Sequence, residues 1–419
     1  MPAIIARSRI PPRLAAAALI PLAAFLAAIL FALAYPLPEA ANDAVGYLEI
    51  ARNIAAGKGF SQDGTTPMLY RPPLFSILLG GWFLLTGTSS TLSAAVFQSL
   101  EHAAGVWISF LLFMEFAPSL AWAAAGALFL AVNPLLVTRV VFVLQEPTIL
   151  LTTTLAAWLS VRLLRGPSRG RAALAGAAWG LCLLAKVVSW FAPFLLLSMR
   201  FLPGGRKTPL RGAEAAALLA CFAAVATPWT IRNYVHTGRF IPVNAQGTGM
   251  LEWNVKQAVI PGERPGREFA GEVSRSGLPE VARKKLLWGY VLDHPGHFLF
   301  RRTLRNAIHF GAPPRDWWIA RGLIRPGQHR VGFWILSALF HIPLYLMLLI
   351  RTRDWWKGGT SPPYGFLVLL YWTYWAEHAA LWGDPRFGLA VYPLLALFAL
   401  PRGAGAIGGV SGGRIPEPA

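Results

Sequence analysis

Long apolar runs separated by short polar segments set the pattern of this 419-residue chain. The first runs from Leu14 to Tyr35, and others lie at roughly 93–114, 119–141, 147–164, 172–187, 189–200, 213–228, 331–350, 364–382 and 387–400. A run of about 18 or more apolar residues is long enough to cross a ~30 Å hydrocarbon core. Lipid offers the backbone no hydrogen-bond partner, and nothing in the chain alternates as barrel strands do, so the runs predict helices. The expected fold class is an all-α polytopic membrane protein, a bundle of about ten transmembrane helices.

Two shorter elements follow the first run. Asn42 or Asp43 caps a helix from Ala44 to Ala55, with Val45, Leu48, Ile54 and Ala55 toward one face and Glu49, Arg52 and Asn53 toward the other. Such a helix lies along the membrane interface, and Gly57 and Gly59 end it. Residues 72–86 reach only ~22 Å at about 1.5 Å per residue. Pro72 and Pro73 suit a first turn, so this segment reads as a second juxtamembrane helix. From Trp229 to about Gln328 the chain turns polar, rich in Gly, Pro, Arg and Glu, and too polar to span. The expected organisation is a transmembrane module at 1–245, an extracytoplasmic segment at 246–330, and C-terminal helices with a cytoplasmic tail at 331–419. No internal repeat with a period of roughly 20–50 residues is visible.

Composition agrees with the pattern. The chain is 55% apolar and 14% charged, with a mean hydropathy of +0.49, against roughly 25% charged residues in soluble domains. The net charge of +19 would suggest nucleic acid in a soluble protein. Here the basic residues collect in short loops that face the cytoplasm and anionic lipid, and no nucleic acid partner is expected. Trp317-Trp318 and Trp355-Trp356 read as interface belts. Cys182 and Cys221 both lie in apolar runs, so neither a disulfide framework nor a cysteine-based metal site is suggested.

Charge also sets the orientation. Arg162, Arg165, Arg169 and Arg171 form the most basic short loop, which is therefore cytoplasmic. Three crossings before it leave Asp43 and Arg71 outside, and a fourth at 72–86 would reverse that loop. Both termini then lie inside, and Asp43, Arg71, Glu146 and Arg386 share the extracytoplasmic face. Arg7, Arg9 and Arg13 with Ala32-Leu33-Ala34 resemble a signal peptide, but the apolar core is long for one, so an uncleaved helix is expected. Charges at helix ends are costly unless solvated or paired. Ordinary interfacial ion pairs account for the four about as well as a site does.

Several short motifs sit in a fixed order along this topology. They are Asp43-Ala-Val-Gly-Tyr47-Leu-Glu49-Ile, Tyr70-Arg71-Pro72-Pro73-Leu74, Leu144-Gln145-Glu146-Pro147, Leu184-Ala185-Lys186 and Thr227-Pro228-Trp229-Thr230-Ile231-Arg232-Asn233. In these the chain resembles the type C glycosyltransferases, in particular the branch of the lipid A aminoarabinose transferases and protein O-mannosyltransferases (family 39-like). The resemblance covers roughly residues 10–245 and the last helix pair. It implies a membrane enzyme that moves a sugar from a polyprenyl-phosphate-linked donor to an extracytoplasmic lipid, glycan or protein acceptor, with inversion. The expected location is the bacterial inner membrane, with the site facing outward.

The resemblance implies roles that the chemistry makes intelligible. Asp43 accepts the proton of the acceptor hydroxyl. Arg71 holds the departing lipid phosphate with its bidentate fork. Tyr70 adds a hydroxyl donor, Arg386 a second phosphate clamp, and Lys186 a contact to the donor headgroup. Glu146 orients the acceptor, and Tyr47 and Glu49 are further candidates from the first motif. The resemblance names no certain cofactor and leaves open a divalent cation at Asp43 and Glu146, as in some members of the superfamily, although two carboxylates on separate loops are a poor metal signature.

Outside these motifs the candidates are weaker. His294-Pro-Gly-His297 and His309 read as solvated loop histidines more readily than as metal ligands. Glu263, Glu268, Glu272 and Glu280 alternate with Arg264, Arg267, Arg275 and Arg283, as on a salt-bridged helical surface. A transporter or flippase of lipid-linked precursors is the alternative from another class. It would carry inverted repeats and midplane charges, whereas charges within the apolar runs are few, chiefly Glu101, Glu377 and His378. A non-catalytic membrane scaffold would need no carboxylate at position 43.

Overall fold

The structure, a computed structural model, describes residues 11–34, 43–201, 210–245, 247–311, 330–381 and 383–404. Arg7, Arg9, Asn42, residues 202–209 of the basic loop, Trp317, Trp318, Trp382 and the tail from residue 405 lie outside them. The described residues are helical throughout apart from loops and one isolated bridge between Ser61 and Pro67.

The first helix, α1 (Pro12–Ala34), buries Ile20, Ala24, Ala28 and Ala32 at four-residue spacing. Small residues on one stripe let it approach its neighbours closely, the usual device where lipid removes the hydrophobic drive between helices. Leu19, Leu22, Leu26, Leu30 and Leu33 face outward. The short helices α2 (Asp43–Ala55) and α3 (Leu74–Thr86) pack on each other, with Tyr47, Leu48, Ala51, Phe75, Leu79 and Phe83 in a common core. At 13 residues, α3 is too short to cross a bilayer. Gly57 and Gly59, both at positive φ, turn the chain out of α2.

The bundle continues with α4 (Thr91–Met114), α5 (Leu120–Ala131), α6 (Pro134–Val137), α7 (Glu146–Arg165), α8 (Arg169–Ala185), α9 (Ala192–Ser198) and α10 (Gly212–Thr237). The run at 119–141 is not one straight helix. It bends by 45° at Asn133-Pro134, where Pro134 cannot continue the ladder and the Asn133 side chain caps the next turn at 2.9 Å. Gly176 and Gly180 on α8 meet α10 backbone to backbone: a Cβ on Gly176 would sit 2.1 Å from the Leu218 carbonyl oxygen.

The helix expected to end at Pro228 runs on to Thr237. Its last turns are held from outside. Asn233 is fully buried and donates to the Ile241 and Val243 carbonyls at 3.0 Å. Trp229 Nε1 donates to Val243 at 2.8 Å, and Arg232 donates to Met68 and Phe60 at 2.9 and 3.1 Å. The Thr227–Asn233 motif therefore clamps the loop that leads to Arg71.

Beyond it stands a small helical unit of α11 (Gly247–Lys256), α12 (Gly266–Arg275), α13 (Glu280–Asp293), a π-helical turn at His297–Arg302, and α14 (Thr303–Gly311). It has its own core of Leu251, Val255, Ala270, Val273, Leu287 and Tyr290. Arg264 pairs with Glu272 and Glu268, Arg239 with Glu280, and His294 with Glu263. The chain returns through α15 (Arg330–Trp356) and α16 (Pro362–Ala380). The last apolar run is not one α-helix but a 3-10 stretch at Pro385–Val391 followed by α17 (Tyr392–Ala399).

By length and composition four described helices are able to cross a membrane, α1, α4, α7 and α10, or five if the bent α5–α6 pair is one span. The protein is an all-helical membrane protein.

Candidate active site

The site forms where three distant pieces of backbone meet. Asp43 is the first residue of α2, Glu146 the first of α7, and Arg386 lies in the 3-10 stretch before α17. Arg71 comes from the loop between α2 and α3. Asp43 Oδ1 accepts from Arg71 Nη1 at 2.9 Å, and Asp43 Oδ2 accepts from Arg386 Nη2 at 3.1 Å. Arg386 Nε lies 3.7 Å from Glu146 Oε1 and 3.9 Å from Asp384 Oδ1. The Asp384 carboxylate also accepts from the Arg386 backbone N–H at 3.0 Å, which fixes the turn. One carboxylate is thus gripped by two guanidinium groups, and one guanidinium stands among three carboxylates.

Local packing places each group. The Arg71 guanidinium lies over the Tyr47 ring at 4.8 Å. Gly46 leaves the room it needs, since a Cβ there would come within 3.2 Å of Arg71 Nε and Nη2. Arg386 lies over Phe387 at 5.1 Å. Lys186 Nζ sits 3.3 Å from the centroid of the same ring and 3.3 Å from His378 Nε2. The Asp43 side chain is 40% exposed and those of Arg71 and Arg386 20%, while Glu146 is 6% exposed. Burial pushes the Asp43 carboxyl up, but Arg71 and Arg386 outweigh it and hold the group below the ordinary carboxylate value. Burial works against the charge of Arg386, and Glu146, Asp384 and Asp43 outweigh that in turn, so its pKa is raised.

Of the sequence candidates, Asp43, Arg71, Glu146 and Arg386 come together, with Tyr47 beneath and Lys186 beside them. Tyr70 is 61% exposed, and its backbone carbonyl accepts from Asn244 at 3.3 Å. Glu49 lies apart and pairs with Arg52 at 2.7 Å. The sequence pattern missed Asp384 and a small cavity of about 10 Å³ behind Glu146, which His102 and Arg139 help to line. Arg139 is 4% exposed. Its signal was present, a charge inside an apolar run, but it lies in the stretch read as an uninterrupted span.

A divalent cation does not fit this arrangement. The Arg386 guanidinium already lies between Asp43 and Glu146. Among the described residues no group of three or more His, Cys, Asp or Glu side chains converges as metal ligands.

No protein-family profile and no curated protein matches the chain. Solved structures do. The oligosaccharyltransferase AglB of the archaeon Archaeoglobus fulgidus, in complex with an inhibitory peptide and a dolichol-phosphate, aligns at a TM-score of 0.54 and 15% identity, covering 92% of this chain and 50% of that one. The apo form of the A. fulgidus oligosaccharyltransferase aligns at 0.55 and 15%, with 93% and 50% covered. ArnT from Cupriavidus metallidurans bound to undecaprenyl phosphate aligns at 0.42 and 15%, with 92% and 77% covered. These neighbours are type C glycosyltransferases. The likeness to the oligosaccharyltransferase is one of fold, and the chain spans about half the length of that enzyme.

Proposed function

We propose that this protein is a membrane glycosyltransferase that takes a sugar from a polyprenyl-phosphate donor and passes it to an acceptor hydroxyl outside the membrane. The observation that carries the reading is a single half-exposed carboxylate, Asp43, held by two arginines from opposite ends of the chain. In the reaction the acceptor oxygen bonds to the anomeric carbon as the bond from that carbon to the phosphate oxygen breaks. The electron pair leaves with the lipid phosphate, and the hydroxyl proton passes to Asp43. A one-step displacement inverts the anomeric centre.

Arg71 and Arg386 suit the leaving phosphate, being two planar donors already aimed at one anion. While they grip Asp43 it is a poor base, because they lower its pKa. A donor phosphate draws them away, and the burial that remains raises the carboxyl's basicity. The base is then competent only with donor bound. Glu146 and Asp384 keep Arg386 within reach of the site as it turns from Asp43 to the phosphate, and Lys186 stands beside the donor headgroup. Tyr70 has no assigned contact in this scheme, and Glu49 has no part in it.

The proposed topology has ten spans with both termini inside, α2 and α3 at the outer interface, and the site on the extracytoplasmic face of a bacterial inner membrane. The division at 245 and 330 makes the outer unit the part that meets the acceptor. Asp43→Asn tests the reading. The variant should fold, with its melting temperature lowered only by the loss of the two ion pairs, and transfer about 10²- to 10⁴-fold less sugar, measured with a radiolabelled polyprenyl-phosphate sugar. Transfer at the wild-type rate would sink the base assignment.

A further inference from the structure

A second concave surface opens beside the site. It is a cleft of about 320 Å³ between the outer helical unit and the Gly383-Asp384 turn, near the lower end of the range for small-molecule sites, roughly 300–1,000 Å³. His297, Arg301, Arg302 and Arg305 line one wall, Trp253 stands on another, and Asp384 closes the side next to Arg386. The spacing explains the cluster, because positions three and four apart share a helical face. Arg302 is tied down, donating to the Leu381 carbonyl at 2.7 Å and to Asn254 Oδ1. Arg301 and Arg305 are exposed and have no ion-pair partner among the described residues. Asp384 is the one carboxylate in the lining against three arginines, and its charge is shared with the Arg386 guanidinium at 3.9 Å.

The field in the cleft is positive. Burial and then Arg305 bring Arg302 down to about 10, and burial with the neighbouring arginines lowers His297. The wall is also fixed against the active site. A Cβ on Gly383 would lie 1.9 Å from the Asn306 carbonyl oxygen, and one on Gly388 2.8 Å from that of Phe310. Helix α14 therefore lies directly on the backbone that carries Arg386.

We infer that this cleft is an acceptor subsite for a sugar bearing a phosphate or carboxylate, its anion held by Arg301 and Arg305 and its ring laid against Trp253. The inference rests on the glycosyltransferase reading for the word acceptor, though not for the binding itself. Two free guanidinium groups on one helical face match a tetrahedral or planar anion. An exposed indole offers the flat apolar face on which a sugar ring sits, and Trp253 is 42% exposed. Asp384 belongs to both the cleft and the Arg386 turn, so the cleft adjoins the ion-pair cluster that holds Asp43.

The test uses the full chain in lipid nanodiscs and calorimetry without donor. The probes are a hexose phosphate, a hexuronate, the neutral hexose, inorganic phosphate and an acidic peptide. The hexose phosphate or the hexuronate should bind, and whichever binds tighter names the anion. The neutral hexose should not bind. The Arg301→Gln/Arg305→Gln variant should weaken binding by about tenfold for each arginine removed, and Trp253→Ala should weaken the sugar phosphate but not inorganic phosphate. Asp43→Asn should bind as the wild type does. Equal binding by the double-arginine variant, equal binding of the neutral hexose, or tighter binding of the acidic peptide would each overturn the inference. In transfer assays the double variant should raise KM for an anionic acceptor and leave kcat near wild type. Anion binding by a protein that transfers no sugar would remove the glycosyltransferase reading and leave the anionic-sugar site standing.

Discussion

Removing Arg386 separates what holds this site together from what the chemistry uses. In Arg386→Gln, Glu146 keeps its burial at 6% exposure and loses the guanidinium that stands 3.7 Å away. Breaking a buried pair by deleting one partner costs roughly 3–5 kcal/mol. The 3.7 Å separation is longer than a hydrogen bond, and Asp43 retains Arg71 at 2.9 Å in a half-exposed setting. The expected loss is therefore nearer 2–3 kcal/mol, somewhat below the range for ideal pairs. Neutralising the stranded carboxylate should return part of it. Glu146→Gln alone leaves Arg386 with Asp43 and Asp384 and should cost about 1 kcal/mol. The double variant should then be less destabilised than the sum of the singles by about 1–2 kcal/mol, a coupling well above the ~0.5 kcal/mol noise of independent sites. Denaturant unfolding of the detergent-solubilised protein, followed by tryptophan fluorescence, measures the cycle. Transfer should stay lost in both Arg386→Gln backgrounds, since the phosphate clamp is missing either way. Additive stabilities would refute the assignment of Glu146 as the anchor of Arg386. Transfer restored in the double variant would refute the clamp.

Three other outcomes follow from the same geometry. Because the folded Asp43 carboxyl lies below its ordinary value, its ion pairs contribute above that value and are lost as pH falls through the folded pKa. In Arg71→Gln the lowering weakens while burial remains, so the acid limb of kcat/KM should move to higher pH, and an unmoved limb would contradict the pairing. Gly176→Ala should destabilise the α8–α10 contact by about 2–3 kcal/mol, as overpacking against unyielding backbone does, whereas Gly170→Ala, with nothing within 4 Å, should melt as the wild type does. Asn233→Ala should orphan the Ile241 carbonyl while Trp229 still satisfies Val243, costing about 1–3 kcal/mol. Hydrogen exchange should then rise across residues 239–245 and in the loop before Arg71, and unchanged protection would show that the clamp is not coupled to that loop.

The sequence by itself determined that this is a helical membrane protein, because long apolar runs leave lipid-immersed backbone no other means of satisfying its polar groups. It also placed a helix from Ala44 to Ala55, which forms as Asp43–Ala55 and ends at two glycines, but not its inner face: Val45 is 36% exposed, while Tyr47, Ile50 and Ala51 join Leu48 inside. The shortfall came where one period had two outcomes. Apolarity alone does not distinguish a straight span from the bend at Asn133-Pro134, or an α-helix from the 3-10 stretch at Pro385–Val391. Pro228 read as an end because the groups that hold the helix beyond it come from residues 60–68 and 241–243. Which charges meet was decided only in three dimensions. Asp43 lies 28 residues from Arg71 and 343 from Arg386, while Glu49, six positions along the same helix, pairs with Arg52 instead. Such meetings depend on the room Gly46 leaves for the Arg71 side chain and on the close backbone approach at Gly383. That is a steric property of pairs of segments, and a single chain read in order does not carry it.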